Sequence, residues 1–133
     1  MKLTVQVRLL PTAEQASALL VTMTAFNAAA TFAAKTGFDA GVFSAPSIQK
    51  LCYRELRDRF GLSSQMAVRA IGKAAEVFRR DKGKCPVFRP TGAMTYDERI
   101  LSWKGCDKVS ILTLGGRILV AYVFGEYQKA SMA

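Results

Sequence analysis

Residues 2–10 alternate apolar and polar side chains, Leu3, Val5 and Val7 against Thr4, Gln6 and Arg8, and Pro11 ends the run. This is the pattern of a β-strand with one buried face. The next 75 residues or so read as helix and turn, and strand-like patterns return only after Pro86. A lone strand has no independent stability, so residues 2–10 must pair with the distant C-terminal strands. The helices then form an insertion into a β-domain, and the fold class is α+β.

The helical stretch divides into three. Thr12-Ala13-Glu14-Gln15 has the form of a capping box, and the helix it opens is expected over 13–35, stopping near Gly37. Ala28–Ala30, Ala33 and Ala34 allow another helix to come close. Residues 15–34 carry no charge and are long enough to span a bilayer. Gln15, Ser17, Thr22, Thr24, Asn27 and Thr31 interrupt the run, and alanine dominates its apolar residues, so a buried helix of a soluble protein is the reading. After a loop over 37–46, Ser47 is expected to cap a helix over 48–59. Gly61 ends that helix, and Ser63 or Ser64 caps a third, running to about 81. Its buried stripe is Met66, Ala67, Ala70, Ile71, Ala74, Val77 and Phe78, with Arg69, Lys73, Glu76 and Arg80 on another face. The spacing fits a helix-turn-helix and equally any helical hairpin. Met94–Trp103 and Lys108–Leu114 then read as strands, and Gly115-Gly116 as the turn of a hairpin completed by Ile118–Phe124.

The chain of 133 residues contains no histidine, which excludes Ser-His-Asp and Cys-His catalysis and histidine-bearing zinc sites. Cys52, Cys85 and Cys106 are odd in number and show no CxxC spacing, so they read as reduced thiols in a cytoplasmic protein. The opening residues alternate and carry charge, unlike a signal peptide. Asp97 and Glu98, adjacent in an expected strand, point to opposite faces and make a poor carboxylate pair. The net charge is +9, and residues 47–84 hold ten bases against four acids. Such a surplus attracts polyanions.

Four pieces in this order carry a resemblance. They are Val7-Arg8-Leu9-Leu10-Pro11-Thr12-Ala13-Glu14-Gln15; Asn27 in the next helix; Gln65–Arg80 followed by Cys85-Pro86-Val87-Phe88-Arg89; and Met94-Thr95-Tyr96-Asp97 running on through Val109-Ser110-Ile111 to Gly116-Arg117-Ile118. Together they resemble the N-terminal, wedge-plus-recognition part of TnpB-type RNA-guided transposon proteins, relatives of the small type V CRISPR nucleases. The resemblance implies an antiparallel β-barrel, here open or partial, with a three-helix insertion after the first strand. It assigns residues 1–10 and 86–133 to the wedge-like β-domain and 11–85 to the recognition lobe. It also implies partners: a structured guide RNA and duplex DNA. The family's RuvC-like nuclease, with its clustered carboxylates, has no counterpart in these 133 residues, so the expectation is a non-catalytic binding module without metal or cofactor.

The candidate phosphate contacts are Arg79, Arg80, Lys82, Lys84 and Arg89 in and after the basic turn, and the stripe Lys50, Arg54 and Arg57. Ser64, Gln65, Arg69 and Lys73 lie at the start and along one face of the third helix. The resemblance places that region near the reader of a DNA motif, and Gln and Arg can make bidentate contacts to base edges. Tyr96 and Trp103 are candidates for stacking on bases. Phe26, Phe32, Phe60 and Phe78 read as core, and Cys52 as packing. A second expectation belongs to a different class: open strand edges that pair with a second copy or with a separate nuclease half.

Overall fold

The computed structural model describes residues 7–92, 94, 101–104 and 107–124. They form, in chain order, β1 (Val7–Leu10), α1 (Ala13–Ala40), α2 (Ala45–Asp58), α3 (Ser64–Arg80), β2 (Leu101–Lys104), β3 (Lys108–Thr113) and β4 (Gly116–Phe124). The strands make one antiparallel sheet in the order β1-β4-β3-β2. The first strand therefore pairs with the last, in a register from Val7 opposite Phe124 to Leu10 opposite Ala121. The fold is α+β, with three helices between β1 and β2. The sheet is open: β1 and β2 are its two ends, and nothing pairs them with each other among the described residues, so these strands do not close a barrel.

Two apolar cores result. In the larger one, Phe26, Ala29, Ala30, Ala33 and Ala34 of α1 meet Ile48, Cys52 and Leu56 of α2, and Met66, Ala70, Ile71, Ala74 and Phe78 of α3. The alanines supply the close approach that their small size allows. The smaller core lies on one face of the sheet, where Leu9 of β1 and Leu19 of α1 pack against Val109, Ile111, Val120 and Tyr122. α1 thus belongs to both cores. By length and composition this helix could cross a membrane, yet four of its polar interruptions hold other parts of the fold. Gln15 Nε2 donates to the Leu119 carbonyl at 2.6 Å. Thr22 Oγ1 accepts from the Leu114 amide at 3.1 Å, Thr31 Oγ1 accepts from the Phe88 amide at 2.9 Å, and Asn27 reaches residues 90–92.

Two helix boundaries, the end of α1 and the start of α2, differ from the sequence reading, each for a local reason. α1 runs past Gly37 to Ala40. Gly37 is helical, and an added Cβ would lie 2.8 Å from the Val42 carbonyl oxygen and 2.9 Å from Ile48 Cγ1, so its missing side chain lets the next segment approach. The cap falls on Gly41, at φ 72°, where the Gly41 and Val42 amides donate back to Phe38 and Gly37 in a Schellman arrangement. α2 begins at Ala45 and is capped by Ser44, not Ser47: the Ser44 hydroxyl accepts from the Ser47 amide. Pro46 fits inside the first turn because no helical amide is required there. α3 is capped by Ser63, leaving Ser64 as its first helical residue. In the sheet, Met94 is not in a strand and β2 covers Leu101–Lys104; residues 95–100 lie outside the described residues.

Candidate nucleic-acid interface

Lys73 is the sequence-predicted contact whose place is most changed by the fold. Its Nζ donates to Asn27 Oδ1 at 2.6 Å. The ammonium also lies 4.8 Å from the Phe88 ring centroid and 5.8 Å from that of Phe26. Burial lowers its pKa from the ordinary lysine value. Asn27 is fully buried, and its Nδ2 donates to the carbonyls of Met23, Pro90 and Gly92 at 3.0, 3.1 and 3.0 Å. Gly92 eases the packing beside them, since a Cβ there would sit 3.1 Å from the Arg89 carbonyl oxygen, 3.2 Å from Lys73 Nζ and 3.3 Å from Asn27 Oδ1. Lys73 therefore clasps α3, α1 and the segment leaving the bundle. This use within the fold is one that the sequence reading did not foresee.

That clasp serves the neighbouring basic residues. The Phe88 amide is held by Thr31 and the Pro90 carbonyl by Asn27, so the exposed Arg89 is presented between two fixed points. One turn earlier, Asp81 Oδ1 accepts from the Gly83 amide at 2.8 Å, an Asx-type turn that leaves Lys82 and Lys84 exposed. Arg79 and Arg80 project from the last turn of α3. Arg80 is partnered by Glu76 at 3.1 Å, but both side chains are largely exposed and such a pair is weak. The basic turn thus follows directly on the end of α3, and Arg89 lies five residues beyond Lys84.

On α2, Lys50, Arg54 and Arg57 follow one another at helical spacing and are exposed. Lys50, Arg54 and Arg59 line a broad depression of about 760 Å³, with Tyr53 half-buried in it and Glu55 and Asp58 among its walls. Arg57 has a second duty: its Nε donates to the Leu62 carbonyl at 3.0 Å and steadies the turn between α2 and α3. The sequence reading passed over Arg59, whose guanidinium lies 5.2 Å from the Phe32 centroid and 5.6 Å from that of Phe60. Nothing in linear spacing marks it, since the two rings come from different elements.

At the start of α3, Ser64 is exposed, whereas Gln65 and Arg69 are half-buried and each is engaged within the protein. Trp103 on β2 is about half exposed (53%) and stands edge-on to Tyr122, with ring centroids 5.1 Å apart. Tyr96 lies outside the described residues, as do Cys106, Asp97 and Glu98. Cys52 is buried, and burial, with Glu55 adding to it, pushes its thiol up to about 11, as befits an unreactive packing group. Among the described residues no group of three His, Cys, Asp or Glu side chains gathers in a way that could hold a metal ion. Comparison with protein families, curated proteins and solved structures finds no match for this chain.

Proposed function

We propose that the chain is a nucleic-acid-binding module that grips phosphate backbones and performs no cleavage by itself. One observation carries this reading. Of the ten bases in residues 47–84, all but Arg69 and Lys73 stand on exposed side chains of α2 and the residue after it, the end of α3 and the following turn, against four acids. The Asp81 hydrogen bond holds the turn that carries Lys82 and Lys84, and the Thr31 and Asn27 hydrogen bonds hold the backbone on either side of Arg89. A held backbone leaves less to be ordered when its cations displace phosphate counterions. The resemblance to the N-terminal part of TnpB-type proteins supports the same reading and suggests structured RNA and duplex DNA as ligands, with the open sheet as part of a wedge-type barrel. In that reading Ser64, Gln65 and Arg69 sit near the bases of a DNA motif.

The test is fluorescence anisotropy with a structured RNA and a duplex DNA over a salt series. Changing Arg79, Lys82, Lys84 and Arg89 together to Ala is expected to flatten the slope of log affinity against log salt by roughly 0.9 for each duplex phosphate that is no longer neutralised. An unchanged slope and affinity would overturn the assignment. A second reading, pairing with another chain, is favoured by the exposed Leu10, Leu119 and Val123 on β1 and β4, at 47%, 52% and 39% exposure. Light scattering of the protein free of nucleic acid tests it, and a monodisperse monomer at high concentration counts against it.

A further inference from the structure

Between the start of α2 and the end of α3 lies a cleft of about 280 Å³ whose chemistry a phosphate grip does not need. Its walls are Phe43 and Pro46 on one side and Ala75 and Phe78 on the other, with Arg79 and Lys82 at the rim. Phe78 is fully buried. Phe43, half-buried, stands edge-on to it with centroids 5.1 Å apart and planes at 69°. Lys82 Nζ lies 5.7 Å from the Phe43 centroid, so the ring offers a π face beside a cation. No acidic side chain lines the cleft among the described residues.

Aromatic and apolar walls with two cations at the mouth suit a planar heteroaromatic ring that carries a phosphate. The volume is at the small end of ligand pockets, which run from roughly 300 Å³ upward, so it suits one ring system and not a stacked pair. Bases inside a duplex are stacked and cannot enter, whereas unpaired bases are commonly taken up by aromatic side chains. We propose that this cleft seats a single unpaired nucleotide of the bound strand, its base against Phe43 and Pro46 and its phosphate between Arg79 and Lys82. The proposal rests on the nucleic-acid reading above and deepens it. It assigns the chain a preference for looped or single-stranded segments over uninterrupted duplex.

The experiment compares three probes: an RNA hairpin with an unpaired loop, the same hairpin with abasic loop nucleotides, and a blunt duplex of the same stem. Phe43→Leu is expected to weaken binding of the hairpin roughly tenfold, the size of one lost base–aromatic stack, and to leave the blunt duplex unchanged. The abasic loop should lose a similar factor on the unaltered protein and little more on Phe43→Leu. Equal effects of Phe43→Leu on hairpin and duplex, or no effect on either, would overturn the proposal. A measurement that needs no variant is cross-linking of 4-thiouridine placed in the loop. An adduct on the peptide bearing Phe43 and Pro46 supports the cleft, and adducts found only elsewhere overturn it. Absence of binding to every probe at low salt would remove the nucleic-acid reading itself, which separates that failure from failure of the cleft.

Discussion

Lys73 and Asn27 share a hydrogen bond of 2.6 Å, and each holds something the other cannot. Lys73→Met keeps the length and apolar stem but leaves Asn27 Oδ1 buried without its donor. Such a loss costs about 1–3 kcal/mol, read as a lower urea midpoint. The pH dependence follows from burial, which holds the Lys73 pKa below the lysine value of 10.5. Between the folded pKa and that of the unfolded chain, the unfolded state binds more protons, so stability rises with pH. A neutral amine still donates to Asn27. The stability gap between the unaltered protein and Lys73→Met should therefore widen as pH is raised toward 10.5, and a gap that narrows would contradict this account. Gln15 is a second residue with two tasks: Oε1 accepts from the Thr12 amide at 3.0 Å, and Nε2 donates to the Leu119 carbonyl. Gln15→Glu preserves the first and loses the second, and about 1 kcal/mol of destabilisation is expected by urea titration. A capping box accepts either residue, so only the sheet explains why glutamine stands here.

Gly37 and Gly72 both lie inside helices, yet their replacement should have opposite signs. A Cβ at Gly37 collides with Val42 and Ile48, whereas at Gly72 nothing lies within 4 Å. Gly72→Ala is expected to stabilise by about 0.5–1 kcal/mol from helix propensity alone. Gly37→Ala is expected to destabilise by about 1–3 kcal/mol through overpacking. Urea midpoints of the two variants check the pair. The same two glycines mark what was legible in the sequence. Periodicity gave all three helices and the hairpin, because a buried stripe and a Gly-Gly turn are local signals. It misplaced the end of α1 because a glycine needed for close approach looks the same, in one dimension, as a glycine needed for positive φ. It likewise placed Pro46 in a loop, although proline is at home in a first helical turn. In the candidate site, the turn from Arg79 to Arg89 was readable as a run of charge. The inward use of Lys73 was not, because its partners Asn27, Phe26 and Phe88 are distant in sequence. Phe43 and Pro46 escaped notice for the same reason, since the cleft they line exists only once α2 packs beside α3.

The molecule as a whole is organised around α1, which meets the sheet and the hairpin through Leu19, Gln15 and Thr22 and holds the segment after α3 through Asn27 and Thr31. From residue 15 to residue 31 the helix spans about 24 Å at roughly 1.5 Å per residue. Neither core can lose α1 and persist unchanged, so a single calorimetric transition is expected, with calorimetric and van't Hoff enthalpies equal. Two resolved transitions would show that the cores are separable. The pairing of β1 with β4 also has a consequence in time. Val7 meets Phe124, more than a hundred residues later. While the chain is being made at roughly 5–20 residues per second, the helices have their partners early. The first strand, by contrast, waits on the order of 5–20 s for its neighbour. Over that interval a newborn chain has its helices in hand while β1 still lacks the strand that secures it.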